Sequence, residues 1–454
     1  MVVNSTPGSA TPGEPTPPDP TPTDPTRGHG GLRSVLRRSP GLGRLTTVRF
    51  ASQFGDGLFQ AALGGAILFN PERETDPIAI AAGFAVLLLP YSLVGPFAGA
   101  LLDRWDRRAV LMWANLLRGG LILAAAAVLL TGGPQTPLLL LALAAVGVSR
   151  FVLAGVSASL PNVVRQSWLV STNSVLATAG AGVSAAGAGT AVALLGVLGE
   201  GDRGSGLTVA LASAGSAIGA LAAAGFAAHR LGPTGDLADA GPTGLDAVRA
   251  VLAGLRTGAS AVWGAPGVTT AMIGIGVHRI VFGINTLIMV LILRDPSYAG
   301  ALPGGFAGFG VAVGAAAAGM LLAAAVTPFL IPRIGRSPTV VGALVFATAV
   351  QLGVISGLTQ PMLLVGAFLL GLAGQTIKLT GDAAMQIDID DARRGQVFAL
   401  QDTVFNMAFI GALAAAATVV APDGHSPGLV FAGAAVYGLG LAGVAANSLR
   451  RAPR

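Results

Sequence analysis

The sequence predicts an all-α membrane protein of twelve transmembrane helices arranged as two six-helix bundles. Three observations carry this: too few charges to coat a soluble surface, recurrent apolar runs of membrane-crossing length, and basic residues confined to alternate loops. Of 454 residues, 53% are hydrophobic and 11% charged, with a mean hydropathy of +0.72. Soluble domains carry about a quarter charged residues. A bilayer crossing needs about 20 apolar residues. Such runs fall at 45–69, 78–102, 109–131, 137–160, 172–198, 207–228, 266–293, 305–330, 338–358, 360–384, 396–420 and 427–448. The 66 glycines suit membrane helices that pack backbone to backbone, without a hydrophobic drive between them.

The polar segments divide the chain. Residues 1–43 read as a disordered cytoplasmic tail, because 1–30 are rich in Pro, Thr and Gly and have no apolar core. A bundle at 44–228 is followed by a linker at 229–263, where LDAVRAVLAGLRTGASAVW favours an amphipathic helix. A second bundle at 264–449 and a short cytoplasmic tail at 450–454 complete the chain. Arginines precede the first run and follow the second, fourth, eighth and tenth; more lie in the linker and at the C-terminus. The opposite loops hold only Arg73, Arg203 and Arg294. By the positive-inside rule both termini are cytoplasmic, which requires an even number of crossings. The expected location is a bacterial cytoplasmic membrane.

Several functions are excluded. The basic balance, with a pI of about 10.8, comes from arginine clusters between apolar runs and not from a basic patch interleaved with aromatics, so no nucleic-acid partner is expected. Cysteine is absent and the four histidines are scattered, so no thiolate chemistry is possible and no metal is predicted. The one lysine, Lys378, lies between Ile377 and Leu379, so there is no nucleotide-binding P-loop. Gly438, Gly440 and Gly443 match a dinucleotide fingerprint only by pattern. They fall within an apolar run with no preceding strand, where helix packing is the better reading. Neither an enzyme nor a cofactor is expected.

The two halves share their punctuation: DRWDRR after the second run corresponds to PRIGR after the eighth, and PNVVRQSW to IDIDDARRG. Repeated halves are a common construction of secondary transporters. The segment Gly99-Ala-Leu-Leu-Asp103-Arg104-Trp105-Asp106-Arg107-Arg108 resembles the motif between the second and third helices of the major facilitator superfamily. Asp106 stands where that motif usually has glycine. The resemblance implies a gating loop built from Gly99, Asp103, Arg104, Arg107 and Arg108, with Asp103 facing the start of the eleventh run near Gly395. Leu160-Pro161-Asn162 with Asn173, and Arg393-Arg394-Gly395-Gln396-Val397-Phe398, resemble the macrolide and siderophore exporter branch. Against an antiporter, the fifth run lacks the Gly-Pro element of the superfamily's drug antiporters.

Ionisable residues inside apolar runs are costly, at least ~2.5–3.5 kcal/mol each, and therefore informative. Arg49, Gln53, Asp56 and Gln60 lie at spacings of 4, 3 and 4, a single helical stripe expected to face a central cavity. Arg150 lies at a depth comparable to Asp56. The resemblance implies a proton-coupling role for such a carboxylate and arginine, although Gly155 is one position late for the family pattern; a static buried ion pair is the alternative. Arg118, in the third run, reads as structural or snorkelling. Lys378 and Asp382 form an i, i+4 pair. With Asp402 they hold one more carboxylate than cation, an arrangement suited to a proton. His278 is either a proton relay or a hydrogen-bonded structural group; Arg279 and Asn285 share its run.

The expected function is proton-coupled export of a small hydrophobic or amphipathic compound by alternating access, by a monomer whose partners are the solute, protons and the bilayer. An importer or facilitator of the same fold is the first alternative, and a non-transporting scaffold or sensor the second.

Overall fold

In a bilayer every backbone N–H and C=O must find a partner within the protein, so long apolar runs become helices. The computed structural model describes residues 39, 41–70, 76–102, 105–199, 201–232, 244–294 and 303–450. Of the predicted tail at 1–43, residues 1–38 and 40 lie outside the described residues, as do Asp103, Arg104 and 451–454, while Leu42 and Gly43 already belong to the first helix. Among the described residues the chain forms thirteen α-helices. The first six are α1 (Leu42–Gly64), α2 (Pro77–Leu102), α3 (Arg107–Leu130), α4 (Gln135–Ser159), α5 (Gln166–Leu198) and α6 (Asp202–Ala224). They are followed by α7 (Gly244–Gly264), then α8 (Pro266–Arg294), α9 (Gly305–Ile334), α10 (Arg336–Gly353), α11 (Gln360–Asp388), α12 (Asp391–Ala417) and α13 (Pro427–Leu449). Ten of these are long and apolar enough to cross a membrane. α1 is not among the ten; it carries Arg49 and Asp56, both buried.

Helix pairings recur. α1 packs on α5 and α6, α3 on α4 and α6, and α2 on α4. In the same order, α8 packs on α12 and α13, α10 on α11 and α13, and α9 on α11. The two sets meet where α2 packs on α12 and α5 on α9. α7 lies against α12, with its Val262 in an apolar cluster with Val268, Met385 and Val397. Small residues set the closest approaches: a Cβ on Gly57 would lie 1.9 Å from the Ser184 carbonyl of α5, and one on Gly319 2.0 Å from the Phe368 carbonyl of α11. Helices this close gain dispersion and shed no water, which is how association proceeds in lipid.

At the end where α1 finishes the two sets are closed on each other. α1 finishes in a π-helical turn, Gly65–Phe69, which leaves carbonyls without helical partners. Arg294, at the last residue of α8, donates to Leu68 O at 3.0 Å and Asn70 O at 2.9 Å. Phe69 packs against Phe306 and Phe309 of α9, with centroids 5.9 and 5.4 Å apart. In sequence Arg294 was only a loop charge.

At the end where α1 begins, the basic loop after α2 braces its own set. Arg107 donates to Leu102 O and to Ala158 O at the last turn of α4. Arg108 donates to Ala224 O at the last residue of α6. Arginines on helix C-terminal carbonyls complement the dipole and fill orphan acceptors. Asp106 is the N-cap of α3, accepting from the Arg108 N–H at 3.1 Å, so the departure from the family glycine has a local purpose. Asn162 also joins this end, donating to Leu231 O.

Candidate functional site

A cavity of about 450 Å³ lies between the helix sets. Gln60 of α1 and Phe84, Leu87 and Leu88 of α2 line one wall. Arg279, Phe282, Asn285, Thr286 and Met289 of α8, with residues of α9, α11 and Phe409 of α12, line the other. The lining is mostly apolar, with few polar groups, as in small-molecule sites of this size. A series of aromatic contacts crosses it: Phe309 against Phe84 at 6.4 Å, Phe84 against Phe409 at 5.8 Å, and Phe409 against Phe282 at 6.2 Å.

Of the α1 stripe, only Gln60 reaches this cavity. The expectation that the whole stripe faces a cavity is corrected. Asp56 points into its own helix set, 3.2 Å from the Arg118 guanidinium and accepting from Ser149 Oγ at 2.6 Å. Arg118 also donates to Ser216 Oγ of α6 at 2.9 Å. It is completely buried, so of the two readings of Arg118 the structural one fits and the snorkelling one does not: it ties α1, α3 and α6 together. In α4 it is Ser149 that bonds Asp56; Arg150 is the next residue, turned about 100° around the helix, and is half-buried. Gln53 accepts from Arg49 Nε at 3.3 Å and packs where Gly180 of α5 leaves room.

Lys378, Asp382 and α12 do come together. Lys378 Nζ lies 2.7 Å from Asp382 Oδ2, and Gln401 of α12 donates to Asp382 Oδ1 at 2.9 Å. Asp402, next to Gln401, is exposed, while Lys378 and Asp382 are half-buried. His278 lies away from the cavity. Its Nδ1 is 3.0 Å from the Tyr437 hydroxyl of α13, and its ring fills the space over Gly374 of α11. That is the geometry of a hydrogen-bonded structural group, the second of the two readings the sequence left open for His278. Gly99 falls within α2, and Arg107 and Arg108 serve the loop described above.

Among the described residues the cation lining this cavity is Arg279, the neighbour of His278. Arg279 Cζ sits 3.8 Å from the Phe405 ring centroid, 4.6 Å from Phe409 and 5.4 Å from Phe282. Its Nε donates to Phe405 O at 3.1 Å. A usable signal existed: Arg279, Phe282, Thr286 and Met289 recur at spacings of 3, 4 and 3, one helical face, opposite Phe405 and Phe409 at i, i+4.

Paired helix sets enclosing a solute-sized apolar cavity define a multi-pass membrane transporter. The chain belongs to the major facilitator superfamily. It is 45% identical over 418 residues to uncharacterised MFS-type transporters of Mycobacterium bovis and Mycobacterium tuberculosis, covering 90% of this chain and 91% of each relative. No family model matches. Solved structures with a similar fold include a POT peptide transporter in complex with sulfate (TM-score 0.63, 16% identity, 91% of this chain and 95% of that one). They also include a D323A mutant of the nucleoside transporter NupG (0.62, 13%, 89% and 98%). A bacterial homologue of the iron transporter ferroportin in an inward-facing state is similar as well (0.60, 16%, 91% and 99%). Relatives and neighbours alike are transporters, and this chain is a transporter and not an enzyme.

Proposed function

We propose that the chain is a twelve-crossing secondary transporter of a bacterial cytoplasmic membrane that exports a small hydrophobic or amphipathic compound in exchange for protons. The observation that carries this reading is the apolar cavity walled by both helix sets, sealed at one end by Arg294 on the α1 carbonyls and by Phe69 on α9. In this reading α1–α6 and α8–α13 are the two bundles, and the arginine-rich loops support an outside position for the sealed end. The mycobacterial relatives support the bacterial location. Export is favoured by the resemblance of Leu160-Pro161-Asn162 and Arg393–Phe398 to exporter loops.

Proton coupling rests on Asp382 and Asp402, two carboxylates served by one lysine within the membrane depth. Asp56 is a weaker candidate, because Arg118 and Ser149 already hold its charge. The test is reconstitution in liposomes with an imposed pH gradient and a panel of apolar and amphipathic compounds. Gradient-driven movement is expected in the wild type and at least about tenfold less in Asp382→Asn, with the electrostatic work removed. Movement unaffected by both Asp56→Asn and Asp382→Asn would refute proton coupling through these groups. Net movement toward the cytoplasmic face would select the importer.

A further inference from the structure

Arg279 is a fixed positive charge in an apolar chamber. One face of its guanidinium is covered by Phe405, with Phe282 and Phe409 close by, and Nε is spent on the Phe405 carbonyl. That leaves the two terminal nitrogens, four N–H donors by the chemistry of the group. Among the described residues no carboxylate lies within ion-pairing distance of them. Aromatic faces attract a cation, but they accept no fork of hydrogen bonds.

The other polar groups around the chamber are mostly spoken for. The Asn285 amide exchanges hydrogen bonds with Gln351 at 2.7 and 3.1 Å, and Thr286 donates to Phe282 O. Gln60 faces the same chamber from the opposite helix set and makes no hydrogen bond among the described residues. The chamber therefore offers a planar cationic fork, one uncommitted amide and otherwise hydrocarbon. A neutral apolar solute would leave the fork unsatisfied, and a cation would be repelled. A carboxylate matches the fork bidentately, and its apolar remainder would lie along Phe84, Phe309, Leu363 and Met289.

We infer that the solute is an amphipathic monoanion, a compound with one carboxylate-like group on an apolar body, and that Arg279 is its head-group ligand. This deepens the transport reading and rests on it. The test uses the full chain in phosphatidylcholine nanodiscs, titrated calorimetrically with 2-naphthoate, 2-naphthalenemethanol and 2-naphthylmethylammonium, which share an apolar body and differ in charge. Saturable binding of the acid is expected, at least about tenfold tighter than the alcohol, with the ammonium weakest, as a charge-assisted bidentate contact predicts. Arg279→Gln should erase the preference, and Arg279→Lys should keep it in weakened form. Equal affinity for the three probes, or no saturable binding of the acid, overturns the inference on the wild-type protein alone, whatever the variants do to folding. Preference for the acid without movement of any solute in liposomes would sink the transport reading and leave the anion site standing. Transport of neutral compounds untouched by Arg279→Gln would do the reverse.

Discussion

Each helix set holds its first and third helices together with a buried polar pair, and the two pairs differ in kind. In the first set Asp56 of α1 meets Arg118 of α3, an ion pair supported by Ser149 and Ser216. In the second set Asn285 of α8 meets Gln351 of α10, an amide pair with both hydrogen bonds made and a further one from Gln351 to Val430 O. The same architectural place is filled once by charge and once by neutral dipoles. Taking one partner from an ion pair strands a full charge in a dry interior, whereas taking one partner from an amide pair strands only a dipole.

The largest expected effect follows from that asymmetry. Arg118→Ala should cost about 3–5 kcal/mol, the range for breaking a buried pair, while Asn285→Ala should cost about 1–3 kcal/mol. Denaturant unfolding of the purified protein in detergent, followed by helical circular dichroism, gives the order. Equal losses would dissolve the comparison. The double change Asp56→Leu with Arg118→Met sharpens it, since replacing both charges with apolar groups should recover most of the loss.

Backbone seating supplies a second contrast. Gly57 of α1 rests on the Ser184 carbonyl with no room for a methyl group, while a Cβ at Gly276 of α8 would meet only Val404 Cγ1 at 3.5 Å. Gly57→Ala should destabilise by about 1–3 kcal/mol through forced separation of α1 and α5. Gly276→Ala should be neutral or stabilising, because alanine is the better helix former. A tolerant Gly57 would mean that α1 and α5 part more easily than their contact implies.

Most of the fold was legible because apolar length and loop charge are properties of local sequence. The run at 266–293 is α8 to within one residue, and 427–448 is α13 to within one. Ends were missed where polar residues continue a helix. α5 begins at Gln166 and not at 172, where uncharged polar residues lower hydropathy without ending a helix, and α6 begins at Asp202 and not at 207, where an acidic first turn favours a helix start while lowering hydropathy. The site was less legible. Spacing placed Asp56 on an inward stripe and joined Lys378 to Asp382, but partner choice depends on rotation between helices far apart in sequence. Spacing alone therefore does not pair Arg118 with Asp56. Between adjacent His278 and Arg279, only the direction of the α8 face toward Phe405 and Phe409 decides which one enters the cavity.

The two basic loops make the finest comparison. In PRIGR, Gly335 precedes α10 at φ 85° and ψ 163°, a region essentially reserved for glycine. In DRWDRR the matching position is Asp106, at φ −54°, where a carboxylate caps α3. The loops therefore begin equivalent helices by different means, one through backbone freedom and the other through a side-chain acceptor. Gly335→Asp should cost about 1–3 kcal/mol, because the side chain cannot be placed without strain. Asp106→Gly should cost only a few tenths, since glycine is itself acceptable at an N-cap and about 1 kcal/mol is expected only for alanine. Parallel melts of both variants would separate these values. A loss at Asp106→Gly as large as at Gly335→Asp would mean that the carboxylate does more at this end than receive the Arg108 N–H.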